Sequence, residues 1–316
     1  MTSIWYGLLF FAKAMKKESE HLIEYNDKIR IKITDKCNMS CPFCHCEGTK
    51  KTESISLSDD NFIKWLKQLK PYFNKIHLTG GEPTLYNNLP ALCKFLKKEG
   101  YDVFLTTNLF LLNKNLLDSI PYISKINVSF HTLNPAYFRT YIRNEDKAGD
   151  YLSMIKKNIL ELKGLIRNIS INTVVSNDKN QKLEQILYFC EANKIPLKLV
   201  PDWRYFEEAG EYIVNFLKNN KFKEEKRVIK LPGSNLRIIY RKKDYVVEFK
   251  DIESYYLDFW CKGCHMKNKC IEKFAFLRLE GNPLRFKVCI NRPALNCEEF
   301  EKDFWPYFRK LLKVKK

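Results

Sequence analysis

The sequence predicts an α/β protein: a partial (β/α)6 barrel, followed by a small, cysteine-rich α+β domain at its C-terminal end. Three observations carry this. Between residues 30 and 201, short apolar, β-branched runs alternate with amphipathic helical stretches, the pattern of a mainly parallel sheet with helices outside. The units number six, too few for the closed eight-stranded barrel. After Trp260 the pattern gives way to closely spaced cysteines with short strand and turn signals.

The strands are expected at Arg30–Thr34, Lys75–Thr79, Val103–Thr106, Lys125–Phe130, Ile169–Val175 and Leu197–Val200. The first helix begins at the cap-like Ser58 and sets Phe62, Ile63, Leu66 and Leu69 on one face. Further helices are expected over Leu89–Lys98, Asn115–Ile120, Tyr151–Leu165 and Lys179–Asn193. Lys218–Lys230 is charged and reads as a helix or linker. Leu236–Phe249 alternates as a strand pair turning at Arg241–Asp244. Phe300–Leu312 is aromatic and helical. The expected division is an N-terminal helix or extension (1–29), the barrel (30–201), a linker and hairpin (202–250) and the cysteine-rich domain (251–316).

The 316 residues are 45% hydrophobic, ample for a core, and carry a net charge of +18. Lysine is spread along the chain, which reads as a solvated surface; a basic protein also draws anions, so the small-molecule substrate is expected to be anionic. No zinc finger, RNA-binding aromatic motif or basic helix stands out, so no nucleic-acid partner is expected. Eleven cysteines without a secretory signal point to a reducing, cytoplasmic setting, with metal ligation rather than disulfides. The apolar run Ile4–Ala12, followed by Lys16 and Lys17, is too short to span a bilayer. It is expected to be a helix packed on the body, with a weak membrane-surface contact through Trp5, Tyr6, Phe10 and Phe11 as the alternative.

Cys37, Cys41 and Cys44 follow directly on the first strand. Soft thiolates in such a loop suit iron–sulfur or zinc. Three thiolates leave one iron of a [4Fe-4S] cluster open; a zinc site completed by His45 or Cys46 is the competing reading. Leu78-Thr79-Gly80-Gly81-Glu82-Pro83 ends the second strand. Its glycines would let a ligand approach the backbone, and Glu82 offers a carboxylate to an ammonium. Active sites of such folds lie at the C-terminal strand ends, which puts both segments on one rim.

With these two motifs the chain resembles the radical S-adenosylmethionine enzymes. The resemblance implies that Cys37, Cys41 and Cys44 hold a catalytic [4Fe-4S] cluster and that S-adenosyl-L-methionine chelates its open iron. The segment Gly80, Gly81, Glu82 and Pro83 would bind the methionine amine. Phe43 would pack near the adenine, and Ser129 near the methionine carboxylate or ribose. Thr106, Thr107, Asn108, Asn172, Val200 and Pro201 would line the cavity. An electron donor such as flavodoxin or ferredoxin is the implied partner, and a 5′-deoxyadenosyl radical would take hydrogen from the substrate.

Within that superfamily, residues 30–201 and the cysteine-rich tail are similar to the GTP cyclase of molybdopterin biosynthesis. The likeness rests on Arg30 seven residues before the first cysteine, Thr34-Asp35, the Gly-Gly-Glu-Pro run, Thr106-Thr107-Asn108, Asn127-Val128-Ser129, Ile171-Asn172-Thr173-Val174-Val175 and Cys44-His45-Cys46-Glu47-Gly48. There are departures. His77 stands where that cyclase has a GTP-binding arginine, Ser170 where it has a lysine, and the chain ends Val314-Lys315-Lys316 rather than Gly-Gly. A guanidinium is not replaced by His or Ser in phosphate binding. The expected substrate is therefore a small polar metabolite of sugar or nucleoside type. A divergent GTP cyclase, a peptide-modifying enzyme and a non-catalytic cluster or zinc module are the alternatives. Arg30, His77, Asn108, His131 and Arg204 are candidate substrate contacts, and His131 also a candidate proton carrier.

Cys261, Cys264, Cys270 and Cys289 form a second group. Four thiolates would close a second [4Fe-4S] cluster to substrate, which resembles the twitch or SPASM-like auxiliary-cluster domain of other radical enzymes; structural zinc is the competing reading. Cys93 and Cys190 fall on apolar helix faces and are expected in the core, while Cys46 and Cys297 are unassigned.

Overall fold

Six parallel strands form the centre of the molecule: β2 (Lys28–Lys32), β3 (Lys75–Thr79), β4 (Asp102–Thr107), β5 (Ile123–Ser129), β6 (Ile169–Val175) and β7 (Leu197–Pro201). A short strand, β1 (His21–Tyr25), precedes them. The computed structural model describes residues 21–45, 53–142, 145–233, 235–252, 256–274 and 276–313; the N-terminal helix expected at Ile4–Ala12 and Cys46 lie outside these.

Apolar residues recur at every second position along much of these strands. Ile29, Ile31, Ile76, Leu78, Val103, Leu105, Ile126, Val128, Ile171, Leu197 and Leu199 are buried beneath the helices. The intervening residues point to the inner face. The helices are α1 (Asp60–Leu69), α2 (Leu89–Lys98), α3 (Lys114–Ser119), α4 (Ala148–Leu165) and α5 (Leu183–Ala192). The cap of α1 is Asp59 rather than Ser58: its carboxylate accepts from the amides of Asn61 (2.9 Å) and Phe62 (3.4 Å). Its second oxygen accepts from the amide of Leu284 at 2.9 Å, tying α1 to the C-terminal segment.

The sheet continues past the six strands on both sides. After α6 (Phe206–Asn219) come β8 (Lys223–Leu231), β9 (Asn235–Lys242) and β10 (Tyr245–Ile252). β10 pairs in parallel with β7, and β9 and β8 follow antiparallel. The charged segment Lys218–Lys230 is thus largely strand, not helix or linker. Its Lys and Glu side chains are exposed over Lys223–Lys226, so composition hides a strand that pairing with β9 and β1 defines.

On the other flank, β11 (Arg278–Glu280) pairs in parallel with β2, and β12 (Arg285–Lys287) and β13 (Leu295–Asn296) complete a sheet of thirteen strands. The sheet curls as a half barrel. α7 (Trp305–Lys313) closes the end, where fully buried Trp65 packs edge-on against Phe286, Phe300 and Trp305. Among the described residues no helix is long and apolar enough to cross a membrane.

Candidate active site

The cysteine loop leaves β2 at the rim. Lys32 pairs with Asp35, and the Thr34 hydroxyl accepts from the amide of Lys36 at 3.2 Å. The amide of Met39 approaches the Cys37 sulfur at 3.5 Å, and the amide of Cys44 donates to the Cys41 carbonyl at 3.0 Å. Cys37 and Cys41 are partly buried and Cys44 is exposed. Burial first, then the neighbouring thiols Cys44 and Cys37, push the Cys41 thiol up to about 12. Three thiols crowded this way resist becoming three thiolates unless positive charge joins them.

The Gly-Gly turn after β3 braces this loop. The amide of Gly81 donates to the Thr34 carbonyl and that of Glu82 to the Lys36 carbonyl, both at 2.7 Å. A Cβ on Gly80 would lie 2.6 Å from the Thr34 carbonyl oxygen, and one on Gly81 would lie 2.3 Å from that of Lys36. The glycines therefore admit the cysteine loop itself, where close approach of a ligand was expected. Since the obstruction is backbone, Gly81→Ala must displace the loop. It is expected to cut S-adenosylmethionine cleavage about a hundredfold, the order seen when reacting groups shift by an ångström; cleavage and first-site iron content within twofold of wild type would contradict this.

Glu82 is buried, and its carboxylate is engaged inside the chain. It accepts from the Thr84 amide (3.0 Å), the Thr107 hydroxyl (2.6 Å) and the Asn108 amide (2.7 Å). Asn108 donates to the Asn38 side chain at 2.8 Å and accepts from the amide of Phe110 at 2.9 Å. Glu82, Thr107 and Asn108 thus lock the ends of β3 and β4 to the cysteine loop. The Glu82 carboxylate, expected to meet an ammonium, and Asn108, offered as a substrate contact, are thus already partnered within the chain.

Two further candidates have partners inside the chain. His131 is buried. Its Nδ1 accepts from the Val174 amide at 3.0 Å, and its ring meets Phe43 edge-on at 4.8 Å. Burial holds it down to about 4, so its ring is neutral at physiological pH, with Nδ1 accepting and the single proton on Nε2. Its ring is packed against Phe43 and Tyr141. Arg204 forms a two-pronged ion pair with buried Asp202 and donates to the Pro42 carbonyl at 3.2 Å. It is a strut from the end of β7 to the cysteine loop.

His131 has a consequence for stability. Its folded pKa lies below its unfolded value near 6.5, so the unfolded chain binds the extra proton. The stability is present above about 6.5 and lost as pH falls toward about 4, by on the order of 3 kcal/mol. The difference in unfolding free energy between wild type and His131→Asn, measured from pH 7 to 4, should show that loss; a flat difference would contradict it.

The inner face of the half barrel holds the remaining candidates. Ser129 and Asn172 are register partners on β5 and β6, and Val200 lies beyond Val174 on β7. Asn172 Oδ1 is buried without a hydrogen-bond partner among the described residues. Arg30 and His77 are register partners on β2 and β3. Around them stands a set of cations not anticipated from the sequence: Lys28, Lys125, Lys198, Lys230, Arg237 and Lys250. Glu248 pairs with Lys198 at 3.0 Å and also with Arg237, and Glu24 pairs with Lys230 at 3.0 Å. Burial, then mutual repulsion, holds Lys28, Lys198 and Lys250 well below the usual lysine range and Arg237 down to about 10. The legible signal was a polar residue at every second strand position, as in Lys28-x-Arg30-x-Lys32 and Lys125-x-Asn127-x-Ser129.

The second cysteine group lines one cavity: Cys261, Cys264, Cys270 and Cys289, with Trp260 and Arg292 beside them. Arg292 stacks over the Trp260 ring at 4.9 Å; the amide of Met266 first, and then Arg292, lower the Cys264 thiol. Cys297 points away, toward the Leu284 carbonyl (3.5 Å) and Trp65, so it is not a fifth ligand. Cys93 and Cys190 are fully buried. Among the described residues no three His, Cys, Asp or Glu side chains meet closely enough to form a site for a single ion.

The sequence matches the Radical SAM superfamily over residues 31–225. The chain belongs to that superfamily. Among its relatives, a probable GTP 3′,8-cyclase of Sulfolobus acidocaldarius is 27% identical over 249 residues, covering 76% of each chain. One of Methanococcus aeolicus is 28% identical, covering 71% of this chain and 75% of its own. Streptococcus suis SuiB, solved with bound S-adenosylmethionine, has the same fold: TM-score 0.55 at 17% identity, covering 99% of this chain and 73% of that one. The radical SAM family carries a [4Fe-4S] cluster and S-adenosylmethionine, and a second cluster is typical of such cyclase-like enzymes. The residues fit: three crowded thiols on a braced loop at the first site, four thiols around one cavity at the second.

Proposed function

We propose that this radical SAM enzyme acts on a phosphorylated nucleoside-type metabolite, with GTP the first to test. The observation that carries the reading is the cationic inner face. Lys125 and Lys250 have no ion-pair partner among the described residues, and the depressed lysines gain most when an anion enters. The names of the relatives point the same way. His77 and Ser170 remain departures, but the cations of β5, β7, β9 and β10 supply the charge those positions lack.

In this reading Cys37, Cys41 and Cys44 hold the catalytic cluster, and Cys261, Cys264, Cys270 and Cys289 the second. A [4Fe-4S] cluster held by the Cys37, Cys41 and Cys44 thiolates would supply the electron for reductive cleavage of S-adenosylmethionine to methionine and a 5′-deoxyadenosyl radical. The protein's own part is positional. The Gly80–Pro83 backbone and Ser129 hold the cofactor at the rim, Phe43 covers it, and Asn172 and the cations hold the substrate beneath it. The test is calorimetry on cluster-reconstituted enzyme: GTP should bind at least about a hundredfold more tightly than guanosine, the yield of two or more charge-assisted contacts. Equal binding would overturn the reading.

A further inference from the structure

We propose that Asn291 and Arg292 are positioning residues that set the reduction potential of the second iron–sulfur site, by aiming hydrogen-bond donors and one guanidinium at its sulfurs. This rests on the reading of Cys261, Cys264, Cys270 and Cys289 as ligands of a [4Fe-4S] cluster.

The loop after β12 is held at both ends. The Ile290 amide donates to Glu272 at 3.2 Å, and the ammonium of buried Lys287 donates to the Arg292 carbonyl at 2.6 Å. Asn291 and Arg292 are thereby turned onto the cysteines. The Asn291 amide reaches the Cys289 sulfur at 3.3 Å, joined there by the Arg292 amide. Nδ2 of the Asn291 side chain reaches the Cys270 sulfur at 3.7 Å. The Arg292 guanidinium, stacked over the Trp260 ring at 4.9 Å, faces the Cys264 sulfur, and its charge extends to Cys261. Two consecutive residues thus address all four thiols.

These donors oppose their surroundings. Burial comes first in raising the Cys261, Cys270 and Cys289 thiols. Glu272 also faces Cys270 and Cys289, and is itself paired with Arg278; Lys273 adds positive charge at Cys270. A cluster on four thiolates is anionic, and gaining an electron makes it more so. The reduced form is therefore the one that N–H donors and a nearby cation favour most, which raises the potential. A structural zinc ion takes no electron and would be indifferent to that gain.

The test is a redox titration followed by EPR, with dithionite as reductant, on anaerobically reconstituted enzyme whose first site is emptied by Cys44→Ala. At a fixed potential Arg292→Met, which removes the charge and keeps the bulk, should lower the ratio of reduced to oxidised second cluster about tenfold, a downward shift of about 59 mV for a one-electron couple. Arg292→Lys, which restores the charge, should recover most of that loss. Water entering in place of the guanidinium would favour the more charged, reduced form and raise the potential, so the sign separates tuning from a loosened loop. If Arg292→Met loses its iron, Asn291→Ala, which deletes only the donor to Cys270, is titrated instead and should lower the ratio about threefold, the value of a weak hydrogen bond. An unchanged or raised potential in the variant titrated, no recovery with lysine, or loss of iron from both variants overturns the role of these residues alone. A parent protein that holds zinc at the second site, with no reducible cluster, overturns the cluster reading with it.

Discussion

Cys44→Ala is expected to abolish release of 5′-deoxyadenosine and to lower iron from about eight to about four atoms per chain. Cys44 is exposed, whereas Cys37 and Cys41 pack against the core, so its removal takes a ligand without opening a cavity. Folding should be retained, and the second site should keep its iron. Cys261→Ala should do the reverse to the iron, taking it from the second site while leaving the first able to cleave S-adenosylmethionine. Iron and 5′-deoxyadenosine measured on both variants check the assignment. A Cys44→Ala protein that still releases 5′-deoxyadenosine at the wild-type rate would refute it.

Joint replacement of Lys125 and Lys250 by methionine is expected to weaken GTP binding about a hundredfold, each charge-assisted contact contributing roughly 1.5 kcal/mol or more. Neither lysine has an ion-pair partner among the described residues, so no carboxylate is orphaned by the change. Stability should respond in the opposite sense. Burial, then Arg30, Arg237 and Lys198, lower Lys250 below its unfolded value near 10.4. The unfolded chain then binds more protons, and wild-type stability rises with pH in the window beneath that value. The double variant should show a shallower slope, since Lys28 and Lys198 remain, and be no less stable at pH 7. Chemical denaturation at pH 7 and 9 reads the stability, and calorimetry the affinity. Unchanged affinity would remove the charge argument.

Much of the fold was legible because its signals are local. The β3 and β6 runs Lys75–Thr79 and Ile169–Val175 and the α2 helix Leu89–Lys98 match the structure residue for residue, since apolar periodicity and strand length leave little choice there. β8 was not legible: Lys223-Glu224-Glu225-Lys226 looks helical in composition, and only its neighbours make it a strand. The same holds at the site. CxxxCxxC and Gly-Gly-Glu-Pro are contiguous and could be read directly. What Glu82, His131 and Arg204 do could not be, because their partners, Thr107 and Asn108, Val174, and Asp202 and Pro42, come from distant positions. The cations of the inner face were hidden in the same way. Each is one lysine or arginine in a lysine-rich chain until six strands bring them to one surface.

The most direct test is a single anaerobic turnover assay with reconstituted enzyme, a low-potential reductant, S-adenosylmethionine and GTP. The account predicts that 5′-deoxyadenosine forms faster with GTP than without it and that GTP is consumed in step. Release of 5′-deoxyadenosine with GTP left intact would contradict the proposed substrate, and no release from iron-loaded protein would contradict the radical chemistry itself.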